Sequence, residues 1–139
     1  MKQLILASQS PRRKSLLAQL GYQFITLPAN IDESVYCHEK PQDYVVRLAK
    51  EKAQTIFLAL TAEQQDQTIA LGSDTSVVID GEILGKPIDE AECISTLMRL
   101  ENKQHQVLTA IAVISQDQKK PKQHFNAITK LVETQVHFK

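Results

Sequence analysis

The sequence predicts a single α/β domain over residues 1–139, built on a mixed, twisted sheet flanked by helices. Three observations lead there. Short unbroken apolar runs, such as residues 4–7 and 68–71, stop at polar or glycine-bearing turns, as buried strands do. Between them lie segments whose apolar residues recur at helical spacing. Asp80-Gly81, set between two apolar runs, supplies the positive φ angles of a two-residue hairpin turn. The composition agrees: of 139 residues, 42% are hydrophobic and 23% charged, enough for one core and too apolar for a disordered chain.

The elements follow in order. Leu4-Ile5-Leu6-Ala7 reads as a strand stopped by Ser8-Gln9-Ser10-Pro11. A helix then opens with Ser10 as N-cap and Pro11 in the first turn, carries the stripe Leu16, Leu17, Leu20, and closes at Gly21. Residues 22–27 read as a second strand and 28–42 as a polar loop bearing Asp32, Glu33 and Glu39. From 43 to 60, Val45, Leu48, Ala49, Ala53, Ile56, Phe57 and Leu60 mark a long amphipathic helix. Residues 61–67 read as a loop, 68–71 as a strand, and Gly72-Ser73-Asp74-Thr75 as the turn beyond it. The hairpin of 77–79 and 83–84 follows, then a breaker at Gly85-Lys86-Pro87 and a helix opened by the capping pair Asp89 and Glu92. Strands at 106–114 and about 126–138 complete the sheet, joined by a Lys- and Gln-rich turn at 116–123.

Several function classes fall away. Sixteen basic residues balance sixteen acidic ones, so no global positive field gathers nucleic acid. Cys37 and Cys93 form no C-x-x-C pair, and the four histidines have no metal-ligand spacing. No run approaches a membrane span and the N-terminus is too short for a signal peptide, so a cytoplasmic protein with no membrane partner is expected.

Three places invite chemistry. Arg12, Arg13 and Lys14 put successive cations on a first helical turn, where they oppose the helix dipole at roughly 0.3–1 kcal/mol each. A bound phosphate, held by free N–H groups, a Ser hydroxyl and guanidiniums, would offset that; solvated side chains are the plainer alternative. Lys52 is the second. Taking about 100° per residue from Val45, it falls at roughly 340°, within the apolar arc, and either snorkels or reaches into a cleft. Arg47 and Lys50 fall on the opposite side or its margin and look like ordinary solvated cations. Asp74 is the third, placed just past a strand's carboxyl end, where it either activates water and holds a divalent cation or merely caps a turn. Asp32 and Glu33 offer further hard oxygens, and Lys86 another cation. Together these groups describe a polyphosphate site with a divalent ion, and a nucleotide is the economical ligand.

Leu4 to Arg13, Val46-Arg47-Leu48-Ala49-Lys50-Glu51-Lys52-Ala53, Gly72-Ser73-Asp74-Thr75 and Asp80 to Pro87 closely resemble the motifs of the Maf family of nucleoside triphosphate pyrophosphatases. The likeness runs in order from Leu4 to Phe138. It implies a nucleotide cleft in a fold like that of inosine triphosphate pyrophosphatases, and hydrolysis of a triphosphate to monophosphate and pyrophosphate with Mg²⁺ or Mn²⁺. It also implies a homodimer. By the same resemblance Asp74 is the proton acceptor and a metal ligand with Glu33, and Ser8, Arg12, Arg13, Lys52 and Lys86 bind phosphates. Arg12 and Thr75, the latter a substrate contact, resemble the dTTP/UTP branch rather than the 7-methyl-GTP branch, which carries Trp and Gln there. Family members continue past the position of Lys139 through a segment whose Gln helps read the base, so the chain is expected to lack the family's C-terminal part. A non-hydrolysing nucleotide- or phosphate-binding module is the alternative expectation.

Overall fold

A computed structural model describes residues 3–8, 10–84, 103–116 and 125–138. The elements are β1 (Gln3–Leu6), α1 (Pro11–Gln19), β2 (Phe24–Thr26), α2 (Pro41–Leu58), α3 (Ala62–Asp66), β3 (Thr68–Ile79), β4 (Glu82–Leu84), β5 (Lys103–Gln116) and β6 (Phe125–Phe138). They form a six-stranded sheet in the order β2-β1-β3-β5-β6, with β4 paired to the far end of β3. β1 runs parallel to both β2 and β3, and the remaining pairs are antiparallel. The expected mixed α/β sheet with flanking helices is therefore present.

The winding fixes where the helices go. From β1 the chain crosses to β2 on one side through α1, then to β3 on the other side of β1 through α2. Because such crossovers are right-handed, reversing their direction sends the two helices to opposite faces. Strand alternation bears this out. Ala70, Leu108, Ala110, Ala112 and Ile114 pack with Val45, Leu48, Ala49, Ala53 and Phe57 of α2. Leu6, Leu71, Val107 and Ile111, on the other face, line a hollow with Leu16 and Leu17 of α1. Small residues let α2 lie close: a Cβ on Gly72 would stand 2.8 Å from the Ala53 nitrogen and overlap the Ala49 carbonyl.

Most local signals hold. Ser10 caps α1 by accepting from the Arg13 N–H at 3.4 Å, Pro11 follows, and Gly21 has φ +87°. The Asp80-Gly81 turn has φ 53° and 78°, and joins β3 to β4 as expected. Three expectations need correction. Residues 61–67 hold the short helix α3, whose Thr61 hydroxyl and Gln64 side chain cap each other's backbone; five residues are too few for a periodicity to register. The second strand is only Phe24–Thr26. Residues 72–75 are not a turn: β3 runs unbroken because β5 pairs with it from Ile69 to Val78, a non-local ladder that overrides turn-forming composition. Asp74 thus lies within a strand, three residues beyond Leu71, the last position that β1 pairs. The expected helix from 89, the 85–87 breaker and the 116–123 turn fall largely or wholly outside the described residues.

Candidate functional site

The strand order reverses at β1, so the crevice beyond the carboxyl ends of β1 and β3 is where an open α/β sheet presents its ligand. Chain geometry brings the expected residues to this point. Ser8 follows β1, α1 begins at Pro11 above it, and β3 outruns its parallel neighbour to carry Asp74 there. Lys52 reaches across from α2, and its ammonium donates to Asp74 Oδ1 at 3.1 Å and to the Ser73 carbonyl at 3.4 Å. Glu33, from the loop before α2, lies 3.3 Å from the same ammonium. The Lys52 side chain is 13% exposed, so its place in the apolar arc reflects a buried ionic contact rather than snorkelling into water.

Asp74 is buried, and burial pushes its carboxyl above the usual carboxylate value, against the opposing pull of Lys52. Ser76 Oγ, at 3.5 Å, is its other side-chain partner. A carboxylate so weakly compensated has a raised proton affinity.

A second cluster surrounds the start of α1. Ser8 Oγ accepts from the Ser10 N–H at 3.1 Å and from Arg13 Nη1 at 3.3 Å, while Arg13 Nη2 donates to Thr75 Oγ1 at 3.3 Å. Thr75 and Asp74 leave β3 on opposite faces, so Arg13 spans the strand end from Ser8 to Thr75. Two hollows meet here. One, of about 510 Å³, is polar and includes Ser8, Ser10, Arg13, Glu33 and Lys52. The other, of about 550 Å³, is largely apolar, with Arg12, Arg13, Ser10 and Thr75 among its lining residues. Ser10 and Arg13 border both.

The structure therefore brings Ser8, Arg12, Arg13, Lys52, Thr75 and Glu33 around two hollows that share Ser10 and Arg13, and Asp74, which lines neither, joins them through its bond to Lys52; Lys86 lies outside the described residues. Asp32 parts from its neighbour: its carboxylate accepts from the Ser34 N–H and hydroxyl, 2.9 and 2.6 Å away, and closes a local turn. Sequence reasoning missed Arg47. Far from being an ordinary solvated cation, it pairs with Glu39 at 2.7 Å and Glu51 at 3.1 Å and lies 3.7 Å from the centre of the Tyr36 ring. Tyr44 three residues before it and Glu51 four after were the available signal.

Glu33 and Asp74 converge on one cationic atom, so their oxygens are placed to share a cation. Among the described residues no group of three or more His, Cys, Asp or Glu comes together. The donor set fits a hard divalent ion that takes its remaining ligands from phosphate and water, as Mg²⁺ does.

Residues 3–139 match the family model described as Maf-like protein. The chain is 51% identical over 138 residues to a dTTP/UTP pyrophosphatase of Colwellia psychrerythraea, covering 99% of this chain and 61% of that protein. It is 46% identical to a dTTP/UTP pyrophosphatase of Aliivibrio fischeri, covering 99% of the chain and 68% of the relative. To the protein of that name from Pseudoalteromonas atlantica it is 49% identical over 115 residues, or 83% of the chain and 59% of the relative. The chain thus spans about three fifths to two thirds of these relatives' length. A match along nearly every residue, with the motif side chains gathered at one strand-order reversal, shows that the chain belongs to the Maf family.

Proposed function

We propose that this chain carries the catalytic site of a metal-dependent nucleoside triphosphate pyrophosphatase acting on dTTP and UTP. The observation that supports this most is the junction of the two hollows at Arg13, polar on the Lys52 side and apolar on the Leu16 and Leu17 side. A triphosphate fits the first and a nucleoside the second, with the α-phosphate between them near Asp74. The relatives' printed names support the choice of pyrimidine triphosphates.

In this reading Asp74 takes a proton from water as the water oxygen bonds to the α-phosphorus. The bond from that phosphorus to the bridging oxygen breaks, and pyrophosphate leaves. Arg12, Arg13, Lys52, Lys86 and the Ser8 hydroxyl hold the phosphates and stabilise charge on the leaving group. Glu33 and Asp74 would hold Mg²⁺ or Mn²⁺, which when bound neutralises charge on the phosphate oxygens.

Incubation with dTTP and Mg²⁺ tests the reading through its products. It predicts dTMP and pyrophosphate in equal amounts; dTDP with orthophosphate, or no turnover, contradicts it.

A further inference from the structure

On the reading just proposed, Glu33 has to reach the place where Lys52 and Asp74 meet, yet it belongs to a segment without regular structure between β2 and α2. We infer that Arg47 is the positioning residue that fixes this segment, with Tyr44 as its second anchor, so that the Glu33 carboxylate is presented to Lys52.

The contacts converge on two neighbouring peptide groups. The Tyr44 hydroxyl donates to the Glu33 carbonyl at 2.5 Å, and Arg47 Nη2 donates to the Ser34 carbonyl at 2.8 Å. The same guanidinium holds Glu39 through two bonds, of 2.7 and 2.9 Å, and Glu39 in turn accepts from the Tyr36 N–H at 3.1 Å. Tyr36 lies against the guanidinium face. Both ends of the acidic segment are thereby tied to one turn of α2. Lys52 stands on that same helix, five residues after Arg47, so the helix itself sets the spacing between Glu33 and its partner. A guanidinium is the group that can do this: its planar fork of donors serves Ser34, Glu39 and Glu51 and offers a face to the Tyr36 ring at once, which an ammonium cannot.

The test is a double-mutant cycle on pyrophosphate release from dTTP, using Arg47→Met, Glu33→Gln and the pair together. Arg47→Met is expected to lower kcat/KM roughly tenfold or more, the usual cost of losing a group that orients a working ligand. In the Glu33→Gln background the same change is expected to add less than about twofold, because the two residues act as one. Arg47→Lys restores only part of the loss. Amide hydrogen exchange in residues 31–39 is expected to quicken in Arg47→Met, a readout that does not depend on turnover. An equal loss in both backgrounds, or unchanged exchange, overturns the inference. If Arg47→Met does not fold, Tyr44→Phe, which removes one hydroxyl, carries both measurements. A Glu33→Gln enzyme as active as the parent defeats the functional reading instead, and exchange alone then decides the clamp.

Discussion

Two carboxylate–cation pairs flank α2, and they differ in what the protein gains from them. Glu39 with Arg47 and Asp74 with Lys52 have similar side-chain exposure, 9% and 16% against 11% and 13%. Their carboxyl groups nevertheless shift in opposite directions. The Arg47 hydrogen bonds hold Glu39 below the usual carboxylate value, whereas burial holds Asp74 above it. The geometry accounts for this. Glu39 sits on a surface loop and receives a two-pronged guanidinium and a backbone N–H; Asp74 sits inside the central strand with one bond from Lys52 and a long one from Ser76. Desolvation is slight at the surface loop, where hydrogen bonds to the charged form outweigh it, and heavy in the central strand, where they fall short. The lesson is that Glu39 is a fastening, while Asp74 is kept ionisable at some cost in stability.

Replacing each acid by its amide sharpens the contrast. Asp74→Asn is expected to slow pyrophosphate release roughly 10²- to 10⁴-fold, the usual worth of a positioned base, while leaving the melting temperature at neutral pH unchanged or higher. Glu39→Gln is expected to lower that temperature. A clear loss of stability in Asp74→Asn would put both acids in one class.

Gly72→Ala attacks the approach of α2 to β3 that brings Lys52 to Asp74. Its Cβ has no room beside the Ala49 carbonyl, so urea unfolding is expected to show a loss of about 1–3 kcal/mol, as overpacking costs elsewhere. Parental stability would mean that the helix does not lie so close.

The pH dependence separates the pairs by sign. Glu39 has a lowered folded value, so its contribution is present above the unfolded carboxylate value and is lost as pH falls through the folded one. Asp74 has a raised folded value, so its favourable contribution exists in acid and is lost as pH rises through that value. Melting in metal-free buffer should therefore show the Glu39→Gln deficit and any Asp74→Asn gain both shrinking as the solution is acidified. The smallest effect is expected at Asp32, whose carboxylate closes its own turn by accepting from Ser34. Asp32→Asn should leave the melting temperature close to the parent's and turnover intact; a large loss of activity would return Asp32 to the site.

Where the determinants are local, the sequence was sufficient. Ser10 and Pro11 announce α1 and the Asp80-Gly81 turn announces its hairpin, whereas the angular position of Lys52 among Leu48 and Ala49 left a snorkelling and an inward lysine open until the structure placed its ammonium on Asp74. What escaped was set by distant partners. Residues 72–75 have turn-like composition, and the ladder with β5 keeps them extended. Glu51 on its own helix was the local signal for Arg47, but its other acceptors, Ser34 and Glu39, come from a segment folded back against α2, with His38 at positive φ within it. Asp32 and Glu33 are neighbours in sequence with different partners in space, a distinction no composition or spacing carries.

The structure of the protein bound to a dTTP analogue with a non-hydrolysable α,β bridge tests the central claim most directly. The account predicts phosphate oxygens within hydrogen-bonding distance of Arg13, Ser8 and Lys52, with the nucleoside against Leu16 and Leu17. A nucleotide seated away from Arg13, or one whose phosphates lie on the apolar side, would contradict it.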